Sequence, residues 1–451
     1  MMIQDPLSEQ PSPSFDVAVI GGGPAGIGAA VAAGRMGVRT VIVERHDVLG
    51  GMGTSALVNN FCPAHLDGSR LIIGGVFAEL RSRLIERKRI YASTDFSYRM
   101  EPYDPEVFAE VAHAMCREAG VEVRCGSGLA AVEFAEGEAT RITLQNGSVL
   151  QAKTVVDSSG DGFVAALAGV PFTFGRSKDG AVMPLTFCYM IGPIDLEVLG
   201  RELPGTVHRN ALTGERHCCI SNHPKTNVWV AQARASGELT IPRDHIAAIL
   251  SVPGRPDHAT VNFGRVFCKD PTNPAELAEA ETQGRRQIEE GVRFFRRYLP
   301  GFERVELKEV ARQIGVRESR QIQGLYTLTG PDATGCRQFE DVIAQCCYAI
   351  DIHEPDTEGT TMKEFRAGTH FDIPWRALVP ASGPANLVIG GRCVSATQEA
   401  MSSFRVAPSV MAIGEAAGVT AALAARNGGV IRKVDPRAVQ ARLRETGGVL
   451  E

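Results

Sequence analysis

Short apolar runs and amphipathic stretches alternate through the first 170 residues in the order expected of an α/β fold. Val17, Ala18, Val19 and Ile20 are consecutive apolar positions, the mark of a strand buried on both faces of a parallel sheet. Positions 24–36 are dominated by alanine and glycine, which predicts a thin helix able to lie close to that sheet, and Gly37 is placed to end it. A second apolar run at 38–43 predicts the neighbouring strand. Val76, Phe77, Leu80 and Leu84 recur at helical spacing within 71–87, with Arg and Glu on the other side. Asp104-Pro105 opens another helix, with Phe108, Val111, Ala112 and Met115 inward and Gly120 as its stop. After a short strand at 121–125, the stretches 129–133, 141–144 and 149–155 alternate in period two, and Asn146-Gly147 predicts a two-residue hairpin between the last two.

From about Val170 to His370 the period changes repeatedly, which predicts a second domain. Its clearest element is a long polar helix at 274–298, with Leu277, Ile288, Val292, Phe295 and Leu299 on its apolar side and Pro300-Gly301 as terminator. The chain then returns to the first pattern. Positions 387–389 predict a buried strand, Gly390-Gly391-Arg392 its turn, and a helix begins near Pro408. Ala412, Gly414, Ala416, Ala417 and Gly418 make that helix thin enough to press on the nucleotide fold, and Asp435-Pro436 caps a short final one.

The first turn carries the chemistry. Gly21, Gly23 and Gly26 supply a G-x-G-x-x-G spacing: the first permits the tight turn, the second lets backbone approach a pyrophosphate, and the third lets helix pack on strand. Pro24 and Ala25 open the helix, whose unpaired N–H groups and positive dipole end favour an anion. Glu44 stands at the end of the second strand, eighteen residues beyond Gly26, where a carboxylate accepts hydrogen bonds from an unphosphorylated ribose, with Arg45 beside it. In the following loop Gly50, Gly51, Met52 and Gly53 leave backbone amides open, and Thr54 and Ser55 offer hydroxyls to a second part of a long dinucleotide.

Composition narrows the partners. At 451 residues and 44% hydrophobic content the chain can build two domains, or one with a large insertion. A net charge of −5 with acids and bases interleaved argues against a nucleic-acid surface, so a small-molecule ligand is expected. No apolar run long enough to span a bilayer is expected, and residues 1–14 are polar and proline-bearing, a loose tail without signal-peptide features. Eleven cysteines without C-x-x-C spacing argue against iron–sulfur and structural zinc sites, and they fit a reducing cytoplasm.

With the meander and the stretch TVVDSSGDGFVAALAG at 154–169, the chain resembles the FAD-dependent oxidoreductases of the glutathione-reductase-like, two-dinucleotide-fold superfamily. The matching positions are Val121 to Val123, Leu129, and Asp157 through Ser159, Gly160, Asp161 and Gly162, with Ser159 where threonine is usual. Further stretches are similar to signatures of one FAD-dependent oxidoreductase family: 310–328, with Arg317, Glu318 and Arg320; 344–353, ending in Asp351 and His353; and 371–425, the most specific match. The resemblance implies an α/β fold class, a Rossmann-like FAD-binding domain with parallel sheet and β-meander plus an inserted α+β substrate domain. The expected division is 1–14 tail, 15–170 with 371–430 FAD-binding, 171–370 substrate domain and 431–451 C-terminal helix.

The resemblance also assigns FAD contacts to Gly391, Arg392, Val406 and Ala407, although Arg392 stands where relatives often have an acid on the ribityl chain. Ser403-Phe404-Arg405-Val406 would feed the N-terminus of the last long helix and point positive charge at the pyrimidine edge of the flavin. Arg405 matches, by position, the arginine that contacts a substrate carboxylate in the distantly similar fumarate reductase and succinate dehydrogenase flavoproteins. Arg317 and Arg320 are candidates for binding an anionic or carbonyl group, or for pairing with Glu318 in an interdomain network. His353 is a candidate acid–base group or a core histidine beside Asp351. Non-covalent FAD is expected, because the glycine loop lacks the histidine used for attachment and His65 lies further on.

The function expected is hydride transfer between a small polar metabolite, with or without a carboxylate, and flavin N5. A monooxygenase that activates O2 is the second reading, opposed by G-E-A-A-G at 414–418 where aromatic hydroxylases usually show a G-D-A turn. A flavin-binding electron-transfer subunit is the third. With one nucleotide fingerprint, the electron partner is left open among substrate, oxygen, quinone and a transient pyridine nucleotide, and a homodimer is implied by family analogy alone.

Overall fold

The computed structural model describes residues 13–66, 70–92, 100–135 and 140–450. The expected tail lies outside the described residues up to position 12, while Ser14 already belongs to the first strand, paired with Gln151. The elements run β1 (Ser14–Ile20), α1 (Pro24–Arg35), β2 (Thr40–Val43), α2 (Gly75–Glu86), α3 (Pro105–Glu118), β3 (Glu122–Arg124), β4 (Leu129–Glu133), β5 (Thr140–Leu144) and β6 (Val149–Asp157). Across the sheet their order is β3-β2-β1-β6-β5-β4. The β3, β2, β1 and β6 pairings are parallel and those of the meander antiparallel. Every residue of β2 is buried, as a strand covered on both faces requires.

The second sheet is built from β7 (Tyr189–Gly192), β8 (Val207–Arg209), β9 (Arg216–Ile220), β10 (Ala248–Val252), β11 (Arg255–Asn262) and β12 (Glu306–Val310), in spatial order β8-β9-β10-β11-β7-β12. It is antiparallel throughout. The long helix α4 (Pro274–Tyr298) stacks Phe294 and Phe295 against Phe263. The chain continues through β13 (Ile350–His353), β14 (Thr360–Lys363), β15 (Leu387–Ile389), α5 (Gln398–Phe404), α6 (Ala407–Arg426) and α7 (Pro436–Glu445). Strand β15 joins the first sheet by pairing in parallel with Val155, Val156 and Asp157 of β6.

Apolar side chains form two core clusters, one under each sheet. Ile322, Leu328, Val342, Ile343 and Cys346 fall within the expected substrate domain, yet they pack in the first cluster, where α6 lies against residues 342–346. The α1–α6 contact depends on glycine. A Cβ on Gly414 would stand 1.9 Å from the Ala25 carbonyl oxygen, and one on Gly418 would stand 2.1 Å from that of Ala29. Backbone on both sides leaves nothing to move, so the two helices touch along their main chains.

Three expectations change. The β5–β6 turn holds three residues, Gln145, Asn146 and Gly147. Leu144 N–H bonds the Ser148 carbonyl, and only Gly147 takes positive φ, +83°, which is the three-residue hairpin with glycine at its left-handed position. Ser403 and Phe404, expected only to feed the N-terminus of α6, belong to a helix of their own, α5. Helix α6 also meets the length and hydropathy of a membrane span, contrary to the expectation that no run would, but 83% of its apolar window is buried in the protein.

Glu415, inside α6, shows how tightly this core is set. Its carboxylate accepts the Val76 N–H at 2.9 Å and the Thr446 hydroxyl at 3.2 Å, capping α2 from another helix. Burial pushes the carboxyl up to about 7. The folded chain therefore holds a proton that an unfolded glutamate sheds at lower pH, so this group subtracts stability progressively as pH rises through that interval. Glu415→Gln should remove the trend: the difference in melting temperature, variant minus parent, is expected to rise between pH 5 and pH 8.

Candidate active site

The C-terminal ends of β1, β2, β6 and β15 meet at one edge of the first sheet, the place where open α/β folds bind ligands. Gly21 takes φ +104° there, and a Cβ on it would lie 2.4 Å from the Ser158 carbonyl oxygen, while one on Gly26 would lie 1.8 Å from that of Gly21. A Cβ on Gly23 would meet nothing within 4 Å. Gly23 is also the N-cap of α1, with no side-chain acceptor and no acid in the first turn. The dipole end is left for a ligand.

Glu44 closes one side of this cradle. Its carboxylate accepts the Gly22 N–H at 2.7 Å and the His46 N–H at 2.9 Å, and each oxygen retains a lone pair for a ribose hydroxyl. Residues 126–127 run alongside, with Ser127 N–H on the Glu44 carbonyl, and carry the chain to buried Leu129. Arg45 bonds Gln313 across to the second half of the chain. In the glycine loop, Gly50 N–H bonds the Gly22 carbonyl and a Cβ on Gly51 would meet Gly23 Cα, so that loop does reach the first turn. Two of its members point elsewhere: the Thr54 hydroxyl donates to the Leu49 carbonyl at 2.9 Å, and Gly53 is packed beneath the Tyr103 hydroxyl. Met52 is the middle residue of the 3-10 turn Gly51–Gly53.

The far wall is the turn after β6. Asp157, fully buried, takes the Ser159 N–H and hydroxyl on one oxygen and the Ala165 N–H on the other, which holds Ser159, Gly160 and Asp161 in place. Arg392, following Gly391 in the β15 turn, pairs with Asp161 at 2.6 Å. An acid is thus present on this wall, supplied by Asp161 rather than by position 392. Ser319 also donates to Asp161, and Arg320 donates to the Asp161 carbonyl and to Thr272 while stacking on Phe172.

The Arg317, Glu318 and Arg320 group therefore divides. Neither arginine pairs with Glu318, which instead accepts the Met183 N–H at 2.9 Å and the Gln398 amide at 2.7 Å. Burial pushes Glu318 up to about 7, and its other oxygen has no partner among the described residues. Arg320 belongs to the Asp161 wall. Arg317 turns toward Arg405 and Asp351, donating to the Pro184 carbonyl at 2.5 Å.

Arg405 is the C-cap of α5 and immediately precedes Val406, the N-cap of α6. It donates to the Asp351 carbonyl at 3.0 Å and to the Asp351 carboxylate at 3.1 Å. Tyr348 hydroxyl reaches the same carboxylate at 3.2 Å. Burial alone would raise the Asp351 carboxyl, but with His353 neutral the guanidiniums of Arg405 and Arg317 outweigh it and hold the group below the usual carboxylate range. His353 Nε2 stands 3.6 Å from Asp351, beyond a normal hydrogen bond, and its Nδ1 is 3.3 Å from the Thr360 hydroxyl. Burial, reinforced by Arg317, lowers this imidazole well below its ordinary range, so it is neutral at pH 7. It has the surroundings of a core histidine beside Asp351.

Helix α6, like α1, begins without a side-chain cap or an early acid, at Val406 and Ala407. Buried Ser158 Oγ, Ser409 Oγ, Arg392 Nε and Arg405 Nε have no partner among the described residues. Two uncapped helix N-termini, a ribose acid and unsatisfied donors along one edge fit a long anionic dinucleotide carrying a flavin. Residues outside the sequence-derived set also stand here: Tyr348 and two fully buried arginines, Arg243 and Arg265. Only Arg265 carried a sequence signal, a charge set in apolar surroundings in V-N-F-G-R-V-F at 261–267.

Fold and site together define an α/β flavoprotein. The model of the family described as FAD dependent oxidoreductase matches residues 16–443, and the chain belongs to that family, with FAD as its cofactor. Among solved structures, it is similar to a geranylgeranyl bacteriochlorophyll reductase-like protein from Thermoplasma acidophilum, at 13% identity over 96% of this chain and 83% of that one, with a TM-score of 0.46. It is also similar to the p-nitrophenol 4-monooxygenase PnpA from Pseudomonas putida DLL-E4, at 14% identity over 95% and 84% of the two chains, with a TM-score of 0.42.

Proposed function

We propose that this FAD-dependent oxidoreductase transfers a hydride between a small polar metabolite and non-covalent flavin, on the fumarate-reductase-like side of the superfamily. The observation that carries this is the corner at Arg405–Val406–Ala407, where a buried arginine paired with Asp351 adjoins an uncapped helix N-terminus. FAD, when bound, supplies the hydride chemistry. Gly21, Gly23, Gly26 and Glu44 hold its adenosine end, and Ser159, Gly160, Asp161, Gly391 and Arg392 line the middle. Arg405 orients the substrate, with Arg317 behind it, and Asp351 fixes the Arg405 guanidinium.

The ionisable group poised near neutrality is Glu318, not His353. We assign proton handling to Glu318, whose unpartnered oxygen is free to give or take a proton. Glu318→Gln should abolish a limb near pH 7 in the pH–rate profile, while His353→Ala should leave that limb in place.

Nothing in the geometry speaks against oxygen chemistry. Glu415 of the G-E-A-A-G stretch lies inside α6 and bonds α2, so that stretch is no turn and cannot stand in for a G-D-A motif. The test is anaerobic mixing of the FAD-loaded protein with a metabolite panel. Bleaching of the flavin by a metabolite without O2, or reoxidation of chemically reduced flavin by one, is the expected result. Flavin that reacts only when NAD(P)H and O2 are both supplied, with an oxygenated product, would overturn it.

A further inference from the structure

Arg243 precedes β10 and Arg265 follows β11, and since Ala248 pairs with Asn262 the two arginines extend from the same end of the second sheet. Both are fully buried. Arg243 donates through Nε to the Gly264 carbonyl at 3.3 Å, and both of its Nη atoms are without partners among the described residues. Arg265 spends one Nη on the Glu354 and Gly359 carbonyls, at 2.9 and 2.7 Å, leaving Nε and Nη1 unpartnered. Arg317, half-buried, completes the group through its neutral bond to Pro184.

All three guanidiniums bond only to uncharged carbonyls. The carboxylates of Asp244, Glu354, Glu358 and Asp351 act on these guanidiniums through space without bonding Arg243 or Arg265, and Asp351 is already paired with Arg405. A buried guanidinium with no carboxylate bonded to it costs stability, and Arg243 and Arg265, with half-buried Arg317 beside them, are arranged for an anion that arrives from outside. Burial and the charge of Arg265 lower Arg243 to about 10, so it remains cationic at pH 7, and burial with Arg243 lowers Arg317 as well; an incoming negative charge would relieve both. The FAD phosphates are claimed by the α1 turn, in the other sheet.

We propose that Arg243, Arg265 and Arg317 form a receptor for one anionic group of the substrate, a carboxylate or a phosphate monoester, with the two free Nη atoms of Arg243 gripping it as a fork. Planar guanidinium matches both groups bidentately. The assignment rests on taking this arginine cluster as the substrate side of the flavin.

The test uses the FAD-loaded protein and two probes, sodium acetate and sodium phosphate, with sodium chloride at equal ionic strength as control. Melting temperature and the flavin visible spectrum are followed. One probe, or both, should raise the melting temperature saturably beyond chloride, and the stronger identifies the group. Arg243→Met and Arg243→Lys should each weaken the response at least tenfold. Without anion, Arg243→Met should melt no lower than the parent, because an unpaired buried charge has been removed. Equal effects of all three salts, an unaltered response in Arg243→Met, or a lower anion-free melting temperature would overturn the receptor. Should Arg243→Met fail to fold, Arg317→Met is judged by the same anion response. Anion binding as expected with no metabolite touching the flavin would sink the hydride-transfer proposal and leave the receptor standing. Flavin bleaching by neutral metabolites alone, without any anion response, would do the reverse.

Discussion

Gly23→Ala is expected to give a folded chain that has lost its hold on FAD. A Cβ at this position meets no protein atom within 4 Å, so the substitution has nothing in the chain to disturb. What it does enter is the space in front of α1, whose first amides have no side-chain cap. Affinity for FAD should fall at least tenfold, or about 1.4 kcal/mol, by isothermal titration, while the cofactor-free melting temperature stays within a degree or two of the parent. Gly26→Ala makes the contrast. There a Cβ would stand 1.8 Å from the Gly21 carbonyl oxygen, so both folding and flavin content should suffer. Unchanged FAD affinity in Gly23→Ala would place the pyrophosphate somewhere other than this turn.

The second large effect is expected at Arg405. Arg405→Ala removes the paired cation of a buried carboxylate, and breaking such a pair from one side costs about 3–5 kcal/mol. Turnover should fall by about 10²-fold or more, the scale of removing an electrostatic contact to the reacting centre, while FAD stoichiometry is retained. A structural role alone would also lower stability, so the double variant Arg405→Ala, Asp351→Asn separates the two. Neutralising Asp351 should restore much of the melting temperature and none of the turnover. Recovery of turnover in the double variant would reduce Arg405 to a strut for Asp351.

The local chemistry of the cofactor end was legible in sequence because it is written in consecutive residues. Gly21, Gly23, Gly26 and Glu44 lie within one β-α-β unit, where spacing fixes geometry, and the small residues of α6 announce a close helix contact without naming the partner. The meander was legible too, but its turn was not: Asn146-Gly147 suits a two-residue hairpin and a three-residue one equally, and only the strand register decides between them. Thr54 looked available because a hydroxyl in a glycine loop has no visible partner until Leu49 folds back beside it. The substrate side depends on long-range placement. Arg317 and Arg320 are three residues apart, yet one faces Arg405 and the other Asp161. Arg265 sits in an apolar stretch and Arg243 beside Asp244 and His245, and their meaning appears only when two strands bring them to one end of a sheet. His353 carried the right side chain for acid–base work, and burial among arginines takes away its proton. Glu318 was read as a partner for its neighbours, whereas it bonds Met183 and Gln398 from the opposite direction.

The claim on which the functional proposal stands is that the flavin ring ends at the Arg405–Ala407 corner, with the Asp351 and arginine cluster across from it. A crystal structure of the FAD-loaded protein tests this most directly. Adenosine on Glu44, phosphates over Gly23 and the ring against the N-terminus of α6, with Arg405 on its substrate side, is the expected arrangement. A ring lying away from α6, with Arg405 sealed off from it by protein, would contradict the account.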